Sequence, residues 1–396
     1  MKKHAVILCG IYYPQPSATG QCAMRYAKLI KDEYDISVVF IQSDNKPVEI
    51  TDSNGFNIYS ICGKRLEAEY KSTGIKKSFL HLIGKIEIKL FPLGNLNWYK
   101  KQALKKLEQI NKKRKIDVIF SVCSPLAAHA AGNEFKKKHI NVRHAAYTVD
   151  LYASRKRVRP FYMSYNKLVE YEKRIISEAD CFMPSEEIYK TKAYIRKANN
   201  NCTILPYVMP ELQVGTEDKQ VFPKDEISCV YAGRFYEKIR NPEYMLRLFS
   251  NKKNTAVLHL YSVGCEELVD KYAKKSKNIV IHDLVSSEEI KKIYSQADIL
   301  IGIGNTEEEL LPSKTYEYIS ARKPITFFNP IKDNDILNKY PLCIQINHSE
   351  QINCAVERFA EFSREVKGEN VLQSEIEAAY EDNFSYNVKK ILIREF

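Results

Sequence analysis

The sequence predicts an α/β protein built from two successive parallel-sheet domains. Its 396 residues are too many for one ordinary core and suit two domains of about 200 residues each. Short apolar runs alternate with longer amphipathic segments, which is the pattern of a parallel sheet covered by helices on both faces. A proline-containing polar stretch at 205–223 separates the two halves and is the expected linker.

Apolar runs of strand length define the two predicted sheets. In the first half of the chain these runs are 4–9, 36–42, 56–61, 118–122, 142–148 and 181–184. In the second half they are 228–232, 256–261, 279–282, 299–303, 325–328 and 342–346. The last segment, 375–396, is predicted to be helical.

Composition favours a globular protein of the cytoplasm. Apolar residues make up 44% of the chain, and no run approaches the roughly 18 apolar residues that a membrane-spanning helix needs. Two lysines precede an apolar stretch at the N-terminus, but that stretch is too short for a signal peptide and lacks a small-residue cleavage pattern. We therefore expect a cytoplasmic location.

The cysteines and histidines do not indicate a cofactor. Ten cysteines are present without a C-x-x-C pair, and Cys9, Cys123, Cys181 and Cys229 lie in or beside predicted core strands. We therefore expect reduced, buried thiols. The eight histidines are scattered, and no HExxH motif or cysteine–histidine cluster occurs. The expectation is a protein with no cofactor and no bound metal.

The segment 305–324, NTEEELLPSKTYEYISARKP, holds the densest group of candidate binding residues. Ser313 can cap a short helix there, and the free N–H groups and positive dipole at its start attract an anion such as a diphosphate. Glu317, one turn into the helix, can accept bonds of about 1.5–3 kcal/mol each from ribose hydroxyls. Glu309 precedes the turn, on the side where a sugar would lie. The alternative is a solvated acidic loop followed by an exposed helical glutamate.

These residues resemble a known family. Glu309 and Glu317, with seven residues between them, are similar to the paired glutamates of the retaining family 4 glycosyltransferases. The run PSKTYEYISARKPI resembles the subgroup with Pro-Ser-Lys, Glu-Tyr and Lys-Pro elements. The implied role of Glu309 is to position the hydroxyls of the donor sugar. The residues that the resemblance assigns to donor binding in this segment are Pro312, Ser313, Lys314 and Glu317.

The resemblance also implies a fold and a different substrate for each of the two domains. The fold is GT-B, an α/β architecture of two Rossmann-like doubly wound domains facing a central cleft. Residues 1–208 would bind the acceptor and residues 209–375 would bind the nucleotide-sugar. Residues 376–396 would form a C-terminal helix that crosses back to the first domain.

A cluster of basic residues in the second half of the chain also resembles this family. In SCVYAGRFYEKIRNP, a predicted strand ends at Gly233 and Arg234, and a helix begins at the following Asn-Pro. The family has Gly-Arg followed by a lysine, and these two cations stabilise the departing nucleotide. The usual lysine position is Ile239 here, so either Lys238 or Arg240 serves, and we favour Arg240. The alternative is a basic loop that faces solvent.

Two positions in the first half also resemble family elements. Gly20 lies in a proline- and glycine-containing loop after the first strand and permits close backbone approach to a ligand. The loop resembles the family loop that borders the donor phosphate and the acceptor, and the alternative is an ordinary strand-to-helix turn. Asp150 matches a subgroup aspartate that follows arginine or histidine, whereas Val149 precedes it here. His129 and His144 are candidates to replace the missing contact. The alternative for both is a satisfied structural histidine.

The positive charge is concentrated in one segment. Residues 64–115 contain fifteen Lys or Arg and four Glu, a difference of +11 (15 − 4), in a chain of net charge +12. Apolar and aromatic residues are interleaved with these cations, and each well-placed cation attracts anionic lipid by about 1 kcal/mol. The hypothesis is that the first domain docks on the inner face of the plasma membrane. The alternative is a solvated lysine-rich helix with its apolar side in the core.

The resemblance implies a retaining hexosyltransferase of bacterial surface-polysaccharide assembly, acting on a glycan or lipid-linked acceptor. Arg234 with Lys238 or Arg240 would hold the leaving diphosphate, and the donor phosphate would help deprotonate the acceptor, since no nucleophile is apparent. One rival is a sugar-nucleotide epimerase of related two-domain shape. Another is a nucleic-acid-binding protein, suggested by the basic segment alone and lacking a recognisable reader motif.

Overall fold

The computed structural model describes residues 2–14, 17–42, 48–62, 72–90, 97–154, 160–210, 220–306, 314–330 and 333–396. The chain forms two compact units. Met1–Val208 with Ser385–Phe396 make up the first, and Met209–Phe384 make up the second. The chain re-enters the first unit at Ser385, later than the expected 376, because the helix Gln373–Ala379 still belongs to the second unit.

In the described part of the first unit, seven strands form one sheet. They are β1 (Lys3–Leu8), β2 (Tyr34–Ile41), β3 (Glu49–Thr51), β4 (Asn57–Ile61), β5 (Val118–Cys123), β6 (Arg143–Thr148) and β7 (Cys181–Pro184). Their order is β3-β4-β2-β1-β5-β6-β7, with all pairs parallel except the antiparallel pair of β3 and β4. The chain proceeds from β1 toward one edge and then returns to β5, so the strand order reverses between β1 and β5.

The described part of the second unit contains a parallel sheet of six strands. They are β8 (Ser228–Arg234), β9 (Val257–Val263), β10 (Ile279–Ile281), β11 (Ile299–Ile303), β12 (Ile325–Asn329) and β13 (Cys343–Asn347). Their order is β10-β9-β8-β11-β12-β13. The strand order therefore reverses between β8 and β11.

Helices connect the strands, and serine caps explain several of their starts. In chain order they are α1 (Ala18–Ile30), α2 (Gly74–Leu90), α3 (Asn97–Lys113), α4 (Leu126–Lys138), α5 (Tyr165–Ser177), α6 (Glu186–Thr191), α7 (Glu243–Phe249), α8 (Glu266–Ala273), α9 (Ser287–Gln296), α10 (Lys314–Ser320), α11 (Ile352–Glu365), α12 (Gln373–Ala379) and α13 (Ser385–Glu395). The hydroxyls of Ser17, Ser164, Ser185 and Ser286 each accept a backbone N–H at the start of α1, α5, α6 and α9.

Burial follows the apolar pattern of the sequence. The strands β5, β7, β11 and β12 are buried along their whole length, as expected for parallel strands covered on both faces. Each predicted strand overlaps an observed one. The short strand β3 was not predicted, because its three residues, Glu-Ile-Thr, are all exposed and form no apolar run. Among the helices of the described ranges, none combines the length and apolar content needed to cross a bilayer.

Candidate functional site

The predicted cation cluster lies at the carboxyl ends of β8 and β11. Arg234 is the last residue of β8, and the chain continues from β11 toward Asn305 and Thr306. The strand order of the second sheet reverses between these two strands. Ligands of open α/β sheets bind outside the carboxyl ends of the strands at such a switch point. The second sheet therefore presents the cluster where a ligand is expected.

Backbone hydrogen bonds fix the loop that follows β8. Tyr236 and Arg240 pair across a tight turn, in which the Arg240 N–H donates to the Tyr236 carbonyl at 2.9 Å. From the β11 side, Thr306 donates its N–H to the Ile239 carbonyl at 2.7 Å and its hydroxyl to the Lys238 carbonyl at 2.5 Å. The side chain of Lys238 is exposed, whereas that of Arg240 is half-buried. The turn thus places the two candidate cations in different environments.

Arg240 is held by neutral partners. Its Nη2 donates to Oδ1 of Asn305 at 2.9 Å, while its buried Nε has no hydrogen-bond partner among the described residues. The guanidinium also lies beside the Tyr231 hydroxyl. Burial raises the pKa of Tyr231 to about 12, and the Arg240 charge opposes that rise. Since an amide neutralises no charge, the hydrogen bond to Asn305 leaves Arg240 its full positive charge.

Lys314, the first residue of α10, adds a second cation. Burial lowers the pKa of its ammonium, the charge of Glu317 opposes this effect, and the charge of Arg240 adds to it. The carboxylate whose charge acts on the Lys314 ammonium is that of Glu317, three residues further along α10. Arg240 and Lys314 are thus two half-buried cations that act on each other, with the charge of Glu317 offsetting part of the effect on Lys314. An anion bound between them would relieve the repulsion.

Arg234 and Gly233 lie at the outer end of the same loop. Arg234 is exposed, and its charge helps to lower the pKa of Glu266, after the larger effects of two backbone N–H groups. One of these is the Gly264 N–H, 2.6 Å from Oε1 of Glu266. Gly264 has φ +90°, and a Cβ there would lie 2.5 Å from the Phe235 carbonyl oxygen, so this position requires glycine. At Gly233 a Cβ would lie 3.2 Å from the Tyr231 hydroxyl.

Gly20 in the first unit already uses its backbone donor. It lies in the first turn of α1, is buried, and donates its N–H to Oγ of Ser17 at 3.2 Å. The buried positions Cys22, Tyr26 and Ile30 follow it on the inner face of the helix. Ser17 thus satisfies the Gly20 N–H within the helix cap.

Asp150 follows β6 in the first unit and is half-buried. The chain immediately after it is held by Glu172 of α5, a fully buried carboxylate. Glu172 accepts the N–H of Tyr152 at 2.7 Å, the N–H of Ala153 at 3.1 Å and the hydroxyl of Tyr194 at 3.2 Å. A buried carboxylate bonded to backbone donors gives this loop a defined position behind Asp150.

Comparison with known proteins decides the fold. No family model and no curated protein matches the chain. Among solved structures, sucrose-phosphate synthase from Thermosynechococcus elongatus matches with a TM-score of 0.71 at 12% identity, covering 99% of this chain and 98% of that one. A UDP-forming trehalose-phosphate synthase from Burkholderia xenovorans, in complex with glucose-6-phosphate, gives 0.67 at 12% identity with 99% of each chain covered. HepE from Anabaena, in complex with UDP and glucose, gives 0.61 at 10% identity, again with 99% of each covered.

The chain has the GT-B fold. The fold prediction is therefore confirmed, and the match extends over almost the whole length of both chains. The assignment to family 4 and to its Pro-Ser-Lys subgroup stays a prediction, because it rests on motif residues. Three of these, Glu309, Pro312 and Ser313, lie outside the described residues.

The second unit also contains a D-x-D run, Asp333-Asn334-Asp335. A search for metal ligands among histidines and cysteines alone does not find it. The run follows β12, with both aspartates exposed. In the other large glycosyltransferase fold, two aspartates at this spacing bind a metal ion that contacts the donor diphosphate. Among the described residues, no three His, Cys, Asp or Glu side chains are grouped so that they could hold a metal ion. Metal independence stays a prediction.

His129 and His144 form part of a closed network in the core of the first unit. Ser121 Oγ lies 2.7 Å from both His129 Nδ1 and His144 Nε2. The remaining ring nitrogens lie 3.0 Å from Thr148 Oγ1 and 2.8 Å from Asn133 Oδ1. All ring nitrogens of the pair are thus bonded within the chain. These histidines are structural and do not replace the contact that Val149 lacks.

Several residues of the site were not predicted from the sequence. Most of them could have been found from their position in loops at the carboxyl ends of strands. Asn305 and Thr306 follow β11, and Gly264 follows β9, all at the carboxyl end of the sheet. The switch-point rule would have selected these loops once the strand order was known. Glu172 gave no such signal, because a single glutamate in an amphipathic helix looks like a solvated residue.

Proposed function

We propose that the protein is a retaining glycosyltransferase that moves a hexose from a nucleotide-sugar to a glycan or lipid-linked acceptor. The observation that carries the proposal is the pair Arg240 and Lys314 at the switch point of the second sheet. These half-buried cations lie close enough for the charge of Arg240 to lower the pKa of Lys314, and such a pair suits a diphosphate. The UDP bound to HepE, a protein of the same fold, supports this assignment.

The proposed reaction breaks the bond between the sugar anomeric carbon and the diphosphate, and the acceptor oxygen enters on the same face. Arg240 and Lys314 stabilise the charge that develops on the diphosphate, with Arg234 and the exposed Lys238 at the edge of the loop. An oxygen of the departing phosphate takes the acceptor proton. Because side-chain cations take up the charge, we propose that no metal ion takes part.

The remaining candidate residues position the two substrates in this proposal. Glu317 binds the ribose hydroxyls and Glu309 the donor sugar, while Pro312 and Ser313 line the diphosphate turn. Gly233 and Gly20 border the phosphate, and Asp150 of the first unit contacts the transferred sugar. The setting we propose is surface-polysaccharide assembly at the cytoplasmic side of the plasma membrane.

Ligand-induced stabilisation tests the donor class. We expect one of the UDP-, GDP- or ADP-sugars to raise the melting temperature, because a ligand bound only by the folded state stabilises it. Arg240→Ala should remove that shift. Calorimetry without heat for any of these donors would refute the proposal. Incubation of the bound donor without acceptor separates the rival, since an epimerase would produce an epimer. Transfer in excess EDTA tests metal independence.

A further inference from the structure

Helix α2 exposes an apolar stripe to solvent. Ile75 is 91% exposed and Phe79 60% exposed, and Leu82, Ile86 and Leu90 are also exposed. These positions are spaced by four, three, four and four residues, so they share one face of the helix. Large apolar side chains that remain uncovered along a whole helix indicate an interaction surface.

Helix α3, the other half of the basic segment, is different. Its apolar residues Tyr99, Ala103, Leu107 and Ile110 are buried in the core of the first unit. Of the lysines of α3, Lys100 and Lys106 are half-buried and pair with Glu134 and Glu49, and the others are exposed on the outer face of the helix. The sequence hypothesis treated 64–115 as one surface, whereas the structure separates the two described helices. The core-packed alternative holds for α3, and the exposed stripe belongs to α2.

Two aromatic residues extend the stripe. Phe161 is 74% exposed and Tyr162 53% exposed, with their rings 5.6 Å apart. The Phe161 N–H donates to the carbonyl of Lys89, in the last turn of α2, at 3.0 Å. This bond attaches the aromatic pair to the end of the helix. We call the combined surface the α2 patch; its members are Ile75, Phe79, Leu82, Ile86, Leu90, Phe161 and Tyr162.

Positive charge accompanies the α2 patch. The helix carries four lysines and one glutamate, a net charge of +3 (4 − 1). The exposed residues Lys76 and Lys89 lie on opposite sides of the apolar stripe when helical spacing is projected onto a wheel. Apolar residues bordered by cations match an anionic lipid surface, where side chains enter the acyl boundary and ammonium groups reach phosphates.

We propose that the α2 patch docks on an anionic lipid bilayer, with the helix lying in the membrane interface. Charge argues against a second copy of this chain as the occupant, since a two-fold contact would bring two cationic helices face to face. The inference deepens the proposed function by naming the surface that brings the enzyme to a lipid-linked acceptor. It needs neither donor nor acceptor for its test, so its failure is distinguishable from failure of the proposed transfer.

Vesicle flotation of the full-length protein tests the proposal. At low salt, we expect binding to vesicles made of equal parts phosphatidylglycerol and phosphatidylcholine, and far less binding to phosphatidylcholine alone. The double variant Phe79→Ser, Leu82→Ser removes two exposed side chains and should weaken partitioning by about tenfold or more. Lys76→Glu with Lys89→Glu should weaken it by at least about fivefold per cation on anionic vesicles.

A matched control removes two exposed apolar residues elsewhere. Ile140 and Leu284 are 85% and 62% exposed and lie outside the α2 patch. Ile140→Ser with Leu284→Ser should bind vesicles like the unaltered protein, and all variants should keep its melting temperature. The proposal is overturned if the unaltered protein does not float with anionic vesicles, or if the Phe79, Leu82 variant binds as well as the control. Light scattering that shows a dimer, made monomeric by that variant, would instead assign the patch to a second copy.

Discussion

At the scale of single residues, the structure separates three cations that the sequence placed in one cluster. Arg240 is half-buried and fixed by Asn305, Lys238 is exposed at the tip of the turn, and Arg234 is exposed beside Glu266. A cation that is already positioned and partly desolvated stabilises developing charge better than one that must be ordered from solvent. This difference favours Arg240 over Lys238 as the cation that acts together with Arg234 on the leaving diphosphate.

We predict that Arg240→Ala lowers kcat by about a hundredfold to a thousandfold, the usual cost of removing one preorganised charge-stabilising donor. Arg240→Lys should recover part of the loss, because it restores charge without the planar fork. Lys238→Ala is the matched control and should change kcat by less than about fivefold, as expected for an exposed cation. Steady-state kinetics with saturating donor would contradict the assignment if Lys238→Ala were the more damaging change.

Glu317 is the carboxylate that we propose binds the ribose hydroxyls of the donor. It is half-buried in the first turn of α10, three residues after Lys314. We predict that Glu317→Ala raises the donor KM by roughly tenfold or more, because a charged hydrogen bond to the donor is lost. Glu361→Ala, which removes an exposed carboxylate from α11 in the same unit, should leave the donor KM unchanged. A donor KM that is unaltered in Glu317→Ala would remove this residue from the site.

At the scale of elements, Glu172 links helix α5 to the loop behind Asp150. We predict that Glu172→Gln lowers the free energy of unfolding by about 1–3 kcal/mol, because an amide nitrogen would meet backbone N–H groups where a carboxylate oxygen now accepts them. Urea unfolding followed by circular dichroism measures the change. Tyr194→Phe removes the hydroxyl that donates to Glu172 and should cost about 1 kcal/mol. Equal stability of Glu172→Gln and the unaltered protein would show that the buried carboxylate does not hold this loop.

The elements also show what the sequence could and could not predict. Central strands such as β11, with the sequence ILIGI, are found from sequence because burial on both faces demands an unbroken apolar run. The bond between Arg240 and Asn305 joins residues 65 positions apart and becomes visible once β8 and β11 are known to be neighbours. Likewise, helical periodicity identifies an apolar face in α2 and in α3. It does not tell which of the two faces packs against a core.

At the scale of the whole molecule, the two units repeat one arrangement. Each sheet reverses its strand order beside its first strand, between β1 and β5 in one unit and between β8 and β11 in the other. The Gly-Arg loop follows β8 at the second switch point. In the first sheet, Asp150 follows β6, the neighbour of β5. The same parallel topology therefore places candidate ligand-binding residues at the carboxyl end of the sheet in both units. The loops differ in charge, with a cation after β8 and a carboxylate after β6.

Buried and half-buried histidines make the stability of the molecule depend on pH. Burial lowers the pKa of His129 and of His144 from the ordinary 6.5 to about 3, with smaller contributions from His144 and Lys136 respectively. Burial is also the largest cause of the lowered pKa of His4, His282 and His348. All these histidines are held neutral in the folded state at pH values where the unfolded chain would protonate them.

The sign of the effect follows from proton binding. Between about pH 3 and pH 6.5 the unfolded chain binds more protons at His129 and His144 than the folded protein, so stability is full above pH 6.5 and is lost as the pH falls. We predict a loss of up to about 1.4 kcal/mol per pH unit for each of the two histidines. Urea unfolding at several pH values measures this slope, which should be shallower in His129→Gln. If that variant does not fold, NMR of the unaltered protein decides: two imidazole signals that fail to titrate down to about pH 5 agree with the prediction, and titration of all eight near their ordinary pKa contradicts it.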